Sequence, residues 1–215
     1  MIVEPTLTLE TQLHERGIRH IIGCDEVGRG ALAGPVAVGM TVIDVSVGAF
    51  PEGLRDSKLL SEKRREQLAP LCASWVVHSA VGLASADEVD ALGIMACLGI
   101  AGRRALLALH EAGAPIADST ILLDGNHDYL NPALTSALPV IVRVKGDRDC
   151  ASVAAASVIA KVHRDRLMIG HHDTHPDYGW ASNKGYASAE HLAAIERLGP
   201  SPLHRRTWLH ARPAS

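Results

Sequence analysis

Residues 19–44 read RHIIGCDEVGRGALAGPVAVGMTVID, with two apolar runs on either side of a glycine-rich turn. The first run predicts a strand over residues 19–26, and the Val-rich alternation after the turn predicts a second strand over residues 35–44. The turn joins them as a hairpin. Its glycines imitate a dinucleotide-binding loop, but such a loop opens a helix, whereas this segment continues as a strand. We therefore expect a β-hairpin here and no dinucleotide site.

The rest of the chain alternates strand and helix patterns. Further strands are predicted over residues 75–84, 120–124 and 140–144, and the last two are nearly continuous apolar runs. Helices are predicted over residues 8–16 with Thr8 as the cap, 56–73 with Pro70 ending the helix, 85–113, 151–168 and 188–198. This order predicts a mixed α/β sheet in a single domain of residues 1–215. Residues from about 171 to 215, including a basic tail at 202–213, are expected to form a C-terminal helical extension.

Composition excludes several classes of protein. The chain has 215 residues, of which 47% are hydrophobic and 3% aromatic, and a net charge of −3. So few aromatic rings exclude a stacking surface for single-stranded nucleic acid, and a polyanionic partner must be held by local basic patches or bound cations. Cys24, Cys72, Cys97 and Cys150 form no CxxC pair and are expected to be buried thiols. With no signal peptide and no membrane-length apolar run, we expect a cytoplasmic protein without membrane contact.

Four acidic residues lie at the ends of three predicted strands: Asp25, Glu26, Asp124 and Asp147. Each one alone is better explained as a turn residue. If the strands are neighbours, the carboxylates converge, and their repulsion requires a bound cation. Oxygen ligands favour Mg²⁺ or Mn²⁺, shared with a substrate phosphate, and so predict phosphoryl chemistry. Because adjacent strand residues face opposite ways, Asp25 and Glu26 reach one metal pair only if the strand ends or bulges there.

Glycines and basic residues are candidates for substrate contacts. Gly28 and Gly30 either form an ordinary hairpin turn or let the backbone approach a ligand, with Arg29 adding charge. Other basic residues are either phosphate contacts or solvated surface residues. These are Lys58, Lys145, Lys161 and Arg164.

Six segments, in order along the chain, carry a family resemblance: GCDEVGRGALAGPVAVG (23–39), DSKLLSEKRRE (56–66), LLDGN (122–126), VKGD (144–147), ASVAAASVIAKVHRD (151–165) and NKGY (183–186). The chain resembles bacterial ribonuclease HII over most of its length. The resemblance implies an α/β ribonuclease H-like fold with a central mixed five-stranded sheet, flanking helices and a C-terminal helical extension. It also implies Mg²⁺- or Mn²⁺-dependent cleavage of the RNA strand of RNA/DNA hybrids. Single ribonucleotides embedded in duplex DNA would be nicked on their 5′ side, leaving 5′-phosphate and 3′-hydroxyl ends, and we expect a monomer.

The resemblance also assigns roles by position. The four acids match the family's catalytic carboxylates, which hold two metal ions about 4 Å apart for in-line attack by water. Gly28–Gly30 resembles the element that recognises the 2′-hydroxyl, the group that distinguishes RNA from DNA. Tyr186 matches the tyrosine that packs on the sugar at the RNA–DNA junction. Ser57 and Lys58, in the DSK motif, are further candidates for substrate contact.

Two departures from the family pattern concern substrate preference. Asn183 stands where the family often has His, and Trp208 stands where Phe is usual. The histidines at 171, 172 and 175 lack the spacing of a zinc site and are expected in a surface loop.

Two other functions remain open, because a fold and its carboxylates alone do not define a substrate. One is another two-metal nuclease on the same fold, such as a DEDD exonuclease or a junction resolvase. The other is a non-catalytic hybrid-binding module. The glycine turn and Tyr186 favour the ribonuclease, and four acids that repel phosphate without metal favour catalysis.

Overall fold

The computed structural model describes residues 4–209 and is built around one five-stranded sheet. Its strands are β1 (His20–Val27), β2 (Val36–Ile43), β3 (His78–Ala84), β4 (Ser119–Asp124) and β5 (Val140–Arg143). The strand order is β3-β2-β1-β4-β5. Strand β2 runs antiparallel to β1 and β3, whereas β4 is parallel to β1 and β5. The predicted hairpin and the mixed sheet are confirmed.

Helices cover both faces of the sheet. They are α1 (Thr8–Glu15), α2 (Glu62–Trp75), α3 (Ala86–Leu92), α4 (Ile94–Glu111), α5 (Gly146–Asp149), α6 (Ala151–Thr174), α7 (Trp180–Asn183), α8 (Ala189–Leu198) and α9 (Arg206–Leu209). Short 3₁₀ helices lie at Ser57–Leu59, Ile116–Asp118, Asn131–Ala133 and Pro176–Tyr178. One apolar core joins the sheet to α4, and a second joins its other face to α2 and α6. Within residues 4–209, no helix is long and apolar enough to span a membrane.

Helix α6 packs unusually close to the sheet because glycines face it. A Cβ on Gly23 would lie 2.3 Å from the carbonyl carbon of Ser152, and one on Gly39 would lie 2.6 Å from the carbonyl oxygen of Ala156. Real Cβ atoms do not approach backbone so closely, so only glycine permits this contact. The N-terminal half of α6 therefore lies directly against β1, two residues before Asp25.

Some predicted helix boundaries are wrong for local reasons. The helix predicted over 85–113 is broken at Gly93, where a φ of 80° ends α3 and begins α4. The helix predicted over 56–73 begins instead at Glu62, because the Ser61 side chain caps it by accepting the Arg64 N–H. Pro70 lies inside α2 and does not end it.

Other differences lie near the chain ends. Leu7, not Thr8, occupies the capping position of α1. Helix α6 continues to Thr174, past the expected start of the extension, and includes His171 and His172, which were expected in a loop. Beyond α6, the chain returns to the loop between β1 and β2, where Ala33 forms an antiparallel bridge with His204. The predicted basic tail is described only as far as residue 209, and its last part lies outside the described residues.

The four cysteines are buried and unpaired, as predicted.

Candidate active site

The sheet brings three of the predicted acids to one edge. Pairing of β1 with β4 ends at Cys24 opposite Leu123, so Asp25 and Asp124 are the next residue on each strand. Strand β5 pairs with the other side of β4, and the turn after β5 leads into α5, which carries Asp147. The convergence predicted from the strand ends is therefore present.

Asp124 and Asp147 are joined through the turn before α5. One oxygen of Asp124, Oδ1, accepts the N–H of Gly146 at 2.6 Å and that of Asp147 at 3.4 Å. The turn is made by Lys145, which adopts left-handed backbone angles (φ 62°, ψ 35°) that are costly for a residue other than glycine. The hydrogen bonds from the Gly146 and Asp147 N–H groups to the Asp124 carboxylate offset this local strain.

Asp25 is the most deeply buried of the acids, at 1% exposure. Its Oδ1 accepts the N–H of Glu26 at 2.8 Å, whereas its Oδ2 has no hydrogen-bond partner in the part of the chain that the structure describes. Burial raises the pKa of Asp25 well above its usual range, and the neighbouring Glu26 carboxylate raises it further. A buried carboxylate with an unsatisfied oxygen is unfavourable unless a cation compensates it.

Glu26 lies at the rim of the site, on a strand that does not bulge. The ladder between β1 and β2 stays regular through Val27, so Asp25 and Glu26 face opposite sides of the sheet. The pairing of β1 with β4, in contrast, ends at Cys24, one residue before Asp25. The Glu26 side chain is 17% exposed, and its Oε1 lies 3.4 Å from Nη1 of Arg29. Burial raises the pKa of Glu26, Arg29 opposes that rise, and repulsion from Asp124 adds to it. The Glu26 carboxylate therefore lies near Asp124, although its side chain leaves the strand on the other side from Asp25.

Asp147 has a basic neighbour from the DSK motif. Burial, with repulsion from Asp124 and Asp56, raises the pKa of Asp147 to about 6. The ammonium of Lys58 lies 3.3 Å from Oδ2 of Asp147 and is largely exposed. Burial lowers the pKa of Lys58, but the carboxylates of Asp25, Asp147 and Asp56 raise it more, so the amine stays charged.

The donor chemistry of this cluster fits a hard divalent cation. All its ligand atoms are carboxylate oxygens, its acids repel one another, and one oxygen of Asp25 is buried without a partner among the described residues. Among residues 4–209, no three acidic, histidine or cysteine side chains are placed so that they could together hold a metal ion. Two of the acids are instead held by basic side chains, Glu26 by Arg29 and Asp147 by Lys58.

The loop between β1 and β2 rests on a buried arginine. Gly28 has a φ of +81°, and a Cβ there would lie 2.1 Å from Nε of Arg164. The Arg164 guanidinium donates to the carbonyls of Pro35 at 2.8 Å, Lys184 at 2.9 Å and Ala33 at 3.0 Å. Because this side chain is fully buried and all its nitrogens are used, the predicted phosphate contact of Arg164 is wrong.

Tyr186 is brought next to the same loop. The carbonyl of Gly185 accepts the N–H groups of Leu32 and Ala33, at 2.8 and 3.1 Å. The Tyr186 ring lies 5.4 Å from the Lys161 ammonium and 5.3 Å from the Arg164 guanidinium, within the range of cation–π contacts. These two cations orient a half-buried ring beside the turn that contains Gly30.

Other predicted contact residues divide into buried and exposed groups. The Lys161 ammonium bonds Asp165 at 2.6 Å and its side chain is only 16% exposed, so one of its donors is used within the protein, and its phosphate contact stays a prediction. The Ser57 hydroxyl is buried against that of Ser157 at 2.8 Å and is used within the protein, and the substrate contact of Ser57 stays a prediction. Lys58 and Lys145 are exposed at the rim and remain available to an anionic ligand.

Sequence reasoning missed Arg205. It is fully buried and reaches the carbonyls of Gly28, Arg29 and Gly34. The local signal was the pair Arg205-Arg206, but it lies in a segment interpreted as a basic tail, where solvated side chains are the ordinary expectation.

Solved structures share this fold over nearly the whole chain. The ribonuclease H2 of Pyrococcus horikoshii is similar with a TM-score of 0.67 and 27% identity, over 90% of this chain and 95% of that one. An Archaeoglobus fulgidus RNase HII, solved in a complex with PCNA, is similar with a TM-score of 0.70 and 25% identity, over 91% of this chain and 97% of that one. The fold is therefore of the ribonuclease H class, with an acidic site at the strand ends.

Sequence comparison identifies the family within that class. The family model for Ribonuclease HII matches residues 22–211. A protein from Streptomyces avermitilis named Ribonuclease HII is 47% identical over 207 residues, which cover 96% of this chain and 84% of the relative. The chain belongs to the ribonuclease HII family, and the resemblance seen in the motifs is confirmed.

Proposed function

We propose that this protein is a metal-dependent endoribonuclease that cleaves the RNA strand of RNA/DNA hybrids and nicks duplex DNA 5′ of single embedded ribonucleotides. The products would carry 5′-phosphate and 3′-hydroxyl ends. The observation that carries the proposal is the convergence of Asp25, Asp124 and Asp147 beside the exposed turn at Arg29 and Gly30. Membership of the ribonuclease HII family supports the same activity.

The acids Asp25, Glu26, Asp124 and Asp147 would hold Mg²⁺ or Mn²⁺. When bound, two such ions supply Lewis-acid activation of a water molecule and stabilisation of the leaving 3′ oxygen. The raised pKa values of Asp25, Glu26 and Asp147 mean that protons compete for these carboxylates. Acidic solution should therefore weaken metal binding and slow cleavage.

The residues around the acids would bind and orient the substrate. Exposed Lys58 and Lys145 would contact phosphates, which gives sequence-independent affinity. The turn at Arg29 and Gly30 would approach the ribose, and the Tyr186 ring, oriented by its neighbouring cations, would pack on the sugar at the RNA–DNA junction.

We also propose that the protein acts as a monomer in the cytoplasm. All the acids, the glycine turn and Tyr186 come from one chain, so no second copy is needed to complete the site. Four unpaired, buried cysteines fit a reducing compartment.

The experiment that tests the proposal compares three end-labelled duplexes: DNA with one ribonucleotide, a continuous RNA/DNA hybrid, and all-DNA. Each is incubated with Mg²⁺, with Mn²⁺ and with EDTA. The expected result is a metal-dependent nick 5′ of the lone ribonucleotide, cleavage of the hybrid and no change in all-DNA. Cleavage of all-DNA would favour another nuclease of this fold, and binding of hybrid without cleavage would favour a binding module.

Matched variants test the carboxylates in the same assay. Asp25→Asn and Asp124→Asn should each abolish cleavage while the circular dichroism spectrum stays that of the wild type. Asp149→Asn is the control, because this acid lies in α5 with Asp147 but is held by Arg148 and Arg143. Appreciable turnover by either of the first two variants would contradict the metal assignment.

A further inference from the structure

Arg205 is a fully buried cation whose hydrogen bonds all go to one loop. Nε donates to Gly34 O at 3.3 Å, Nη1 to Arg29 O at 2.9 Å, and Nη2 to Gly28 O at 2.8 Å and Gly34 O at 3.1 Å. None of these acceptors is a carboxylate. Burial, together with the nearby charge of Arg164, lowers the pKa of Arg205 to about 10. Burying a charge that is hydrogen-bonded only to carbonyls is costly. Filling space in the core therefore does not explain why an arginine occupies this position.

The carbonyls that Arg205 holds determine which way the neighbouring N–H groups point. In a trans peptide the C=O and the next residue's N–H point to opposite sides of the chain, and the described residues contain no cis peptide. The Gly28 carbonyl shares its peptide plane with the Arg29 N–H, and the Arg29 carbonyl shares its plane with the Gly30 N–H. With both carbonyls directed inward to the guanidinium, both N–H groups are directed away from it, on the exposed side of the loop.

Among residues 29–34 of the loop, these two N–H groups are the ones that the protein does not use. The N–H groups of residues 31–34 donate to carbonyls of Gly28, Gly185 and Leu203. Within residues 4–209, no protein acceptor receives the N–H of Arg29 or Gly30. Two adjacent free donors with a fixed direction form a site for one acceptor oxygen.

We propose that Arg205 is a positioning residue for ribonucleotide selection: by holding the Gly28 and Arg29 carbonyls, it presents the N–H groups of Arg29 and Gly30 to the ribose hydroxyl of the substrate. The inference rests on the proposed function and extends it to a side chain that touches no substrate. A planar fork with five donors holds several carbonyls at once, whereas a lysine ammonium acts as a point charge. The Trp208 ring, 4.9 Å from the guanidinium carbon, keeps the fork in this orientation.

The test is a ratio of two affinities measured by fluorescence anisotropy in EDTA, so that no cleavage occurs. One duplex carries a single ribonucleotide, and the other is the same sequence in all-DNA. Wild type should bind the first more tightly. Arg205→Ala should reduce that preference about tenfold, as expected for the loss of a well-placed hydrogen bond, and should leave the affinity for all-DNA unchanged. Arg205→Lys, which keeps the charge and most of the packing, should retain only part of the preference.

The neighbouring Arg206 provides the matched control, because it has the same charge but is exposed. Arg206→Ala should leave the ratio unchanged. If Arg205→Ala weakens both affinities equally, or keeps the ratio, the side chain has only a structural role and the inference is overturned. If Arg205→Ala does not fold, Arg205→Lys decides by the same ratio.

Failure of the proposed function would look different. If wild type neither cleaves the lone-ribonucleotide duplex with Mg²⁺ or Mn²⁺ nor prefers it in EDTA, the proposed function itself fails. If wild type cleaves it with metal but shows no binding preference, selectivity lies in the chemical step and only the role of Arg205 is refuted.

Discussion

Replacing Asp147 with Asn should abolish activity and yet make the metal-free protein more stable. In the folded chain, burial and the neighbouring acids raise the pKa of Asp147 from 3.8 to about 6. Because the folded pKa lies above the unfolded one, the stabilising effect of the protonated carboxyl is fully present below about pH 4 and is lost as the pH rises to about 6. Above about pH 6 the ionised Asp147 side chain destabilises the fold, whereas the uncharged amide of Asp147→Asn, which has the same shape, does not.

The size of the effect follows from the shift. A difference of about 2 pKa units corresponds to about 3 kcal/mol in the free energy of unfolding at neutral pH. Water at the open edge of the site screens the repulsion, so we expect a gain of about 1 to 2 kcal/mol for Asp147→Asn. Loss of the contact with Lys58 subtracts little, because that side chain is 69% exposed.

Urea unfolding in EDTA, at about pH 4 and about pH 7, measures this difference. The two proteins should have nearly equal free energies of unfolding at the lower pH and differ at the higher one. Asp149→Asn is the control with the opposite sign, because Arg148 and Arg143 lower the pKa of Asp149. That variant should lose up to about 1 kcal/mol near pH 7. A difference between wild type and Asp147→Asn that is zero at pH 7, or independent of pH, would refute the reasoning.

Three further predictions concern metal, the junction and salt. Mg²⁺ or Mn²⁺ should raise the melting temperature of wild type but not of Asp124→Asn, since the acids converge only in the folded chain; equal shifts would contradict the site. Tyr186→Ala should impair cleavage at a lone ribonucleotide more than cleavage of a continuous hybrid. Tyr186→Phe, which keeps the ring, should impair it less. Equal losses on both substrates for Tyr186→Ala would contradict a role of Tyr186 at the RNA–DNA junction. Raising salt from about 50 to about 200 mM should weaken duplex binding markedly, and Lys58→Ala should reduce the slope of log affinity against log salt by about 1, whereas an unchanged slope would exclude a phosphate contact.

Local pattern and chain order were enough to predict the sheet and the convergence of the acids. The alternation on both sides of residues 28–34 gave the hairpin, because strand periodicity is a property of consecutive residues. Acids at the ends of three apolar runs predicted a shared edge, because only neighbouring strands place such ends together. Boundaries were less predictable, since Pro70 is tolerated inside α2 while Gly93 breaks a continuous helical pattern.

The sequence by itself therefore determined the fold class, the family and the acidic site, since these depend on residue types, spacing and order. Only the tertiary structure decided which basic residues face substrate and which face the protein. Arg164 and Arg205 are residues of the type that commonly contacts phosphate. Both side chains are instead buried and donate hydrogen bonds to backbone carbonyls. Arg205 and Gly28 lie 177 positions apart, and no local pattern encodes a hydrogen bond across that separation. The physical reason is that burial and hydrogen-bond partners are set by how distant segments pack.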